Sequence, residues 1–336
     1  VELHDHVPDH DADVVGAVRA AGAIPFAKTN VPRWSGDLQT FNEIFGTTNN
    51  PWDVTRTPGG SSGGAATSVA LGFTGFELGT DIGGSIRVPA AYCGIVGHKP
   101  SFGLVPCGGY LDRIDHGWAE PDINVHGPLA RGVDDLELVL DLIAGPRPDR
   151  AHAIRHELPA ARHERIDDYR IALWSHSDAC PPAAVVTGAV DHAGDVLASL
   201  GASVDRGVRP DVDPGAAVAT GLRLLAEATS PSMSDDEYDA MVALGVAGNH
   251  RSWLTADVDR TRVRAAWREF FGEIDALVCP VAISPPFAHD HDGSMADRTL
   301  TIDGAERSHL ELVWWTLLVG MAYLPATVVP VSTTPD

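Results

Sequence analysis

Two serines set in glycine carry the chemistry that this sequence can perform. Ser61 lies in Gly59-Gly60-Ser61-Ser62-Gly63-Gly64. Ser85 lies 24 positions later, in Gly79-Thr80-Asp81-Ile82-Gly83-Gly84-Ser85-Ile86-Arg87. A serine hydroxyl is a weak nucleophile until a neighbour takes its proton, so two such loops suggest a nucleophile and a proton-relay partner. Glycines beside them let backbone N–H groups approach a developing oxyanion.

A glycine-serine run by itself is more often a flexible linker. Here Ala65-Ala66-Thr67-Ser68-Val69-Ala70-Leu71 continues as a helix stopped by Gly72, and a glycine-rich turn opening a helix presents free N–H groups. The first motif also fits Gly59-x-Ser61-x-Gly63, a nucleophile-elbow pattern that needs a strand directly before it. Asn49 to Pro58 is turn-rich and bounded by proline, which argues against an elbow.

The two motifs, followed by Arg87-x-Pro89-Ala90 and Gly97-His98-Lys99-Pro100-Ser101, resemble the amidase signature family closely. Weaker similarity runs from Ala27-Lys28-Thr29-Asn30 to Leu324-Pro325-Ala326 and on to Pro330. The resemblance implies a serine amidase with a Ser–cis-Ser–Lys triad, in which Ser85 is the nucleophile and Ser61 the bridging residue in a cis peptide. It implies an oxyanion hole of the N–H groups of Ile82, Gly83, Gly84 and Ser85, with Ser62, Asp81 and Arg87 in support. Asp81 reads as a loop anchor or charge partner, and Arg87 as an internal brace rather than a substrate clamp.

The third triad member departs from the pattern. The chain has two lysines, Lys28 and Lys99, and neither matches the family's base, a Lys-Asp or Lys-Glu motif farther upstream than the 60 residues before Ser61. The sequence opens at Val1 partway into the family pattern and closes at Asp336 before that pattern ends. The expectation is a chain truncated at both ends, inactive or nearly so alone. Two other roles accompany the amidase reading. One is the glutaminase (A) subunit of a tRNA-dependent amidotransferase, although Thr and Gln usually stand there where this chain has Ile82 and Val88. The other is a non-catalytic protein of the same fold.

His98 and His126 sit near the core motifs and offer an alternative Ser-His-Asp arrangement. The fifteen histidines form no His-Glu-x-x-His, no paired Cys-x-x-Cys appears, and His289-Asp290-His291-Asp292 reads as a solvated loop, so no metal and no cofactor are expected. Cys93, Cys107, Cys180 and Cys279 show no disulfide spacing; Cys93 reads as a small buried residue. Trp34, Phe41, Trp118, Trp314 and Trp315 are candidates for an apolar acyl pocket, or for core packing.

At 336 residues and 44% hydrophobic content the chain can bury a large core. A net charge of −22 argues against a nucleic-acid partner. No apolar run reaches membrane-spanning length, which makes cytoplasmic the default location. The expected partner is a small-molecule amide, and the resemblance allows a homodimer.

The elements that must position the serines alternate between helix and strand. Asp11 is expected to cap a helix through Val14 and Val18, and Ala23-Ile24-Pro25-Phe26-Ala27 to form a short strand. Gly132 to Ala144 reads as an amphipathic helix. A strand at Tyr169–Trp174, a helix over Ala183–Leu200 and a strand at Ala202–Asp205 make a βαβ unit, with a buried strand at Ala276–Cys279. The pattern predicts an α/β fold with a mixed β-sheet core covered by helices on both faces. The resemblance implies one partial domain over 1–336, with 147–168 an exposed internal connection.

Overall fold

The computed structural model describes residues 4–110 and 119–334. In chain order it contains α1 (Asp13–Ala20), the ribbon strands β1 (Phe41–Asn42) and β2 (Gly46–Thr47), α2 (Gly63–Ala70), β3 (Phe76–Asp81), α3 (Arg87–Cys93), β4 (Val96–Lys99), β5 (Val125–Ala130) and α4 (Val133–Ile143). Next come β6 (Arg170–Leu173), α5 (Ala184–Ser199), β7 (Ser203–Asp205), α6 (Pro214–Thr229), α7 (Asp235–Ala243), α8 (His250–Glu273) and β8 (Ala276–Val278). The hairpin β9 (Thr299–Ile302) and β10 (Ala305–Ser308), α9 (Trp314–Gly320) and β11 (Ala326–Val328) complete the chain.

Strands and helices form the expected α/β architecture, but parallel and antiparallel pairing fall in separate sheets. One sheet is antiparallel throughout, in the order β11-β4-β5-β3. The other is parallel, β7-β6-β8, with α5 crossing between β6 and β7 as a βαβ unit.

Alternation along β5 shows how the antiparallel sheet is covered. Leu129 packs with Ala65, Ala66 and Val69 of α2 and Ala90 and Cys93 of α3 on one face. Its neighbour Ala130 points the other way, towards Val96 and Leu136 of α4. Val14 and Val18 of α1 join Ile143 on that second side. The largest core cluster runs from Leu38, Val88 and Tyr92 through Trp174, Trp267 and Phe270 to Trp315 and Leu318, so α9 lies between the two sheets' cores.

Several local expectations change. Asp11 does not cap α1; the N-cap is Ala12, and the Asp11 carboxylate pairs instead with Arg19 at 2.8 Å. The segment 23–27 forms no strand: Pro25 lacks an amide donor, and Ile24 and Phe26 stand exposed. β8 is half-buried rather than buried. The 289–292 run is only partly solvated: Asp292 is exposed, but His289, Asp290 and His291 are half-buried and the His291 ring stacks on Phe41 at 3.9 Å. The segment 147–168 is largely exposed and irregular, with one 3₁₀ turn at Ile166–Asp168. No helix among the described residues is long and apolar enough to cross a membrane.

Candidate active site

Ser61 ends a turn that leads into α2, and Ser85 lies in the turn between β3 and α3. Because α2 and α3 share one face of the antiparallel sheet, the two turns meet at the helix N-termini. The backbone ties them together: the Ser62 N–H donates to the Ser85 carbonyl at 3.1 Å. Ser61, Ser62 and Ser85 are all buried, and the Gly60–Ser61 peptide is cis.

The first turn is held by Thr40, whose hydroxyl donates to the Gly59 carbonyl (2.8 Å) and accepts from the Gly63 N–H (3.2 Å). The Gly64 N–H donates to the Asn30 carbonyl at 3.2 Å. These two amides of the first helical turn are therefore engaged by protein acceptors and not free, as the sequence suggested. Gly60 has no space for a side chain. A Cβ there would sit 2.7 Å from the Asp37 carbonyl oxygen and 2.9 Å from the Gln39 nitrogen, both backbone atoms.

The second turn is organised from beneath by Asp81, which is fully buried. Its carboxylate accepts from the N–H groups of Gly84 (2.9 Å), Ile86 (3.1 Å) and Arg87 (3.2 Å). It also receives Arg87 side-chain bonds at 2.9 and 2.7 Å. Burial alone would raise the Asp81 pKa, but the charge and hydrogen bonds of Arg87 outweigh it and hold the carboxyl below its usual range. Asp81 is thus an anchor within the loop. Arg87, also buried, spends its remaining reach on the Thr316 carbonyl at 2.6 Å.

This arrangement changes the expected set of oxyanion donors. The Gly84 N–H is committed to Asp81, whereas among the described residues no acceptor is bonded to the N–H groups of Ile82, Gly83 or Ser85. Among the described residues, three of the four amides that the resemblance names as donors carry no bonded acceptor.

Neither lysine joins the serines. Lys28 is exposed. Lys99 is buried and donates to the Pro100 carbonyl at 2.8 Å, with its Cε and the Arg87 guanidinium both against Gly320. Burial, then the Arg87 charge, pushes its pKa down to about 7, opposed by Asp81. The two histidines are directed elsewhere: His98 shares a hydrogen bond with Thr327 (2.8 Å), and the His126 Nδ1 faces the Pro106 carbonyl at 3.3 Å. Burial lowers both to about 4.

Of the candidate pocket aromatics, Trp314 and Trp315 belong to the core, and Trp118 lies outside the described residues. Phe41 lines a cavity of about 380 Å³ with Pro32, Arg33, Asp37 and His291; Trp34 lines a smaller neighbour of about 150 Å³. All four cysteines are free, and burial raises Cys93 to about 12. No three His, Cys, Asp or Glu side chains among the described residues converge as metal ligands. Thr40 and Thr316 are the site-building residues missed in the sequence. The available signal for Thr316 was a lone threonine inside the apolar run 312–324.

Comparison with known proteins fits this geometry. The A-subunit of a glutamyl-tRNA(Gln) amidotransferase from Exiguobacterium sp. is 39% identical over 213 residues, covering 62% of this chain and 43% of the relative. The same-named protein of Lysinibacillus sphaericus is 31% identical over 326 residues, covering 85% of this chain and 64% of the relative. The chain therefore spans less than two thirds of the length of either. In structure, a bacterial aryl acylamidase of the amidase signature family superposes with a TM-score of 0.77 at 23% identity, over 98% of this chain and 70% of that one. The sequence pattern of the Amidase family matches residues 2–336. Two linked serine turns on the shared fold, within a match of that extent, lead to one conclusion: this chain belongs to the Amidase family.

Proposed function

We propose that this chain carries the hydrolytic centre of a serine amidase. Ser85 Oγ attacks the carbonyl carbon of a carboxylic amide while its proton passes to Ser61. The N–H groups of Ile82, Gly83 and Ser85 hold the oxyanion. Collapse of the tetrahedral species breaks the C–N bond and releases ammonia or an amine that has taken up a proton. Water then attacks the acyl-enzyme, and the carboxylic acid leaves with the Ser85 proton restored.

The observation that carries this reading is the bond from the Ser62 N–H to the Ser85 carbonyl, which joins the two serine turns above the Asp81–Arg87 pair. The relay ends on a base that neither Lys28 nor Lys99 supplies, so full activity requires a lysine outside this sequence. The test is intact-mass and peptide mapping of a full-length version carrying that lysine, after treatment with a fluorophosphonate. One adduct at Ser85, absent in Ser85→Ala, is expected; a folded protein that labels elsewhere or not at all overturns the assignment.

A second reading, the glutaminase component of a tRNA-dependent amidotransferase, is favoured by the names of its relatives. Ile82 and Val88 speak for a stand-alone amidase instead. Glutamine hydrolysis stimulated by partner proteins and charged tRNA would reverse that preference.

A further inference from the structure

We infer that Thr316, on α9, is a positioning residue for the oxyanion loop: its hydroxyl fixes the plane of the Gly83–Gly84 peptide from a part of the chain more than two hundred positions away. This rests on the amidase reading of Ser85 given above.

The Thr316 hydroxyl lies 2.6 Å from the Gly83 carbonyl oxygen. At the opposite edge of that same peptide, the Gly84 N–H donates to Asp81 Oδ1 at 2.9 Å. A peptide unit is planar, so one bond at each edge sets its orientation. The N–H groups of Gly83 and Ser85 lie in the neighbouring peptide planes, each hinged to this one by the φ and ψ of a single glycine, so fixing this plane restricts where they can point. Gly84 has φ of +131°, and a Cβ on it would meet the Thr316 Oγ1 at 3.1 Å and Cγ2 at 3.2 Å. Thr316 therefore covers the loop at the point where glycine is required. Its own carbonyl receives the Arg87 Nη1, so the residue grips both the loop and the brace beneath it.

The hydroxyl has one proton and two carbonyls in reach, because Val313 O lies 2.9 Å away within the same helix turn. A threonine that bonded only to its own helix would leave the Gly83 carbonyl unheld in a buried setting. The shorter distance favours Gly83.

The test compares, in the full-length version carrying the lysine base, wild type with Thr316→Val, which keeps the shape and removes the hydroxyl, and Thr316→Ser, which keeps the hydroxyl. Fluorophosphonate labelling of Ser85 is followed by intact mass, with kinact and KI resolved separately. Removing a direct oxyanion donor costs about a hundredfold or more, so misaligning donors through Thr316 should lower kinact about tenfold to a hundredfold in Thr316→Val. KI should stay within about twofold and Thr316→Ser within about threefold of wild type. Affinity for a trifluoromethyl ketone, whose adduct is an oxyanion, should fall with kinact. Unchanged kinact in Thr316→Val overturns the inference. Should Thr316→Val fold poorly, Thr316→Ser decides: near-normal labelling supports it, and a loss in the folded Ser variant overturns it. Ser85→Ala is the control for the underlying reading, because labelling that persists there defeats the nucleophile assignment itself.

Discussion

The serine turns and the parallel-sheet region are built by different forces. Around Ser61 and Ser85, position comes from directional bonds and from glycines without room for a Cβ. Asp81 alone accepts five hydrogen bonds, from Gly84, Ile86 and Arg87. Around β6, position comes from apolar volume: Trp174 meets Trp315 edge-on at 5.6 Å, and Trp267 meets Phe270 edge-on at the same distance. Close packing tolerates conservative exchange of shape, whereas a buried polar network leaves unpaired groups when one member goes. A site that must aim several N–H groups at one point needs the second kind of construction.

The sharpest way to break this contrast is Asp81→Ala. It strips the partner from Arg87, itself buried, and frees three N–H groups at once. Breaking a buried pair in this way costs about 3–5 kcal/mol. Labelling at Ser85 is expected to vanish, and chemical denaturation should show the stability loss. Normal labelling would show that the loop holds its form without the carboxylate.

Gly60→Ala and Trp267→Phe form a matched pair one step smaller. The new methyl at position 60 would press on backbone atoms of Asp37, Leu38 and Gln39 at 2.7 to 2.9 Å, an overpacking cost of about 1–3 kcal/mol. Trp267 is fully buried, and among the described residues its indole N–H has no hydrogen-bond partner, so Phe forfeits contact area alone, about 1–2 kcal/mol. Labelling rate should fall at least about tenfold in Gly60→Ala and stay within about twofold in Trp267→Phe. Equal loss of labelling in both would erase the distinction between the regions.

How much of this was legible beforehand follows the same division. The two glycine-serine motifs, the helix after the first, and the βαβ unit at 170–205 stood out, because each depends on residues close in sequence. Asp81 and Arg87 read as anchor and brace because they flank the loop they hold. Thr40 and Thr316 did not stand out: their partners lie 19 and 233 positions away, and a lone threonine leaves no periodic trace. The engaged amides of Gly63, Gly64 and Gly84 were also hidden, since a free N–H and a bonded one have the same sequence. The misread strand at 23–27 was an apolar run around Pro25 with no pairing neighbour.

Lys99→Met sharpens the contrast through pH rather than through geometry. Burial depresses Lys99 to about 7 in the fold, and unfolding returns it to the ordinary lysine range. Between those values the unfolded chain binds more protons than the native one, so native stability rises with pH there and levels off below. Denaturation midpoints of the wild type should therefore climb from pH 7 upward by more than those of Lys99→Met. Parallel curves for the two proteins would mean that the ammonium is not desolvated under the Asp81–Arg87 pair.

The smallest effect expected is that of Arg206→Ala, which asks whether polarity itself, or burial of polarity, sets the difference. Arg206 reaches Asp191 at 3.0 Å and Asp195 at 2.6 Å on the outer side of α5, with side-chain exposures of 46%, 43% and 73%. In composition this matches the Arg87 arrangement, one guanidinium serving carboxylate. In water the attraction is screened and the long side chains give up rotamer freedom, so exposed pairs contribute about 0–1 kcal/mol. Arg206→Ala should change stability by less than about 1 kcal/mol, with that small change shrinking further at high salt, and leave Ser85 labelling untouched. A loss rivalling Asp81→Ala would mean that ion pairing matters in this chain regardless of burial, and the special standing of the buried network would go with it.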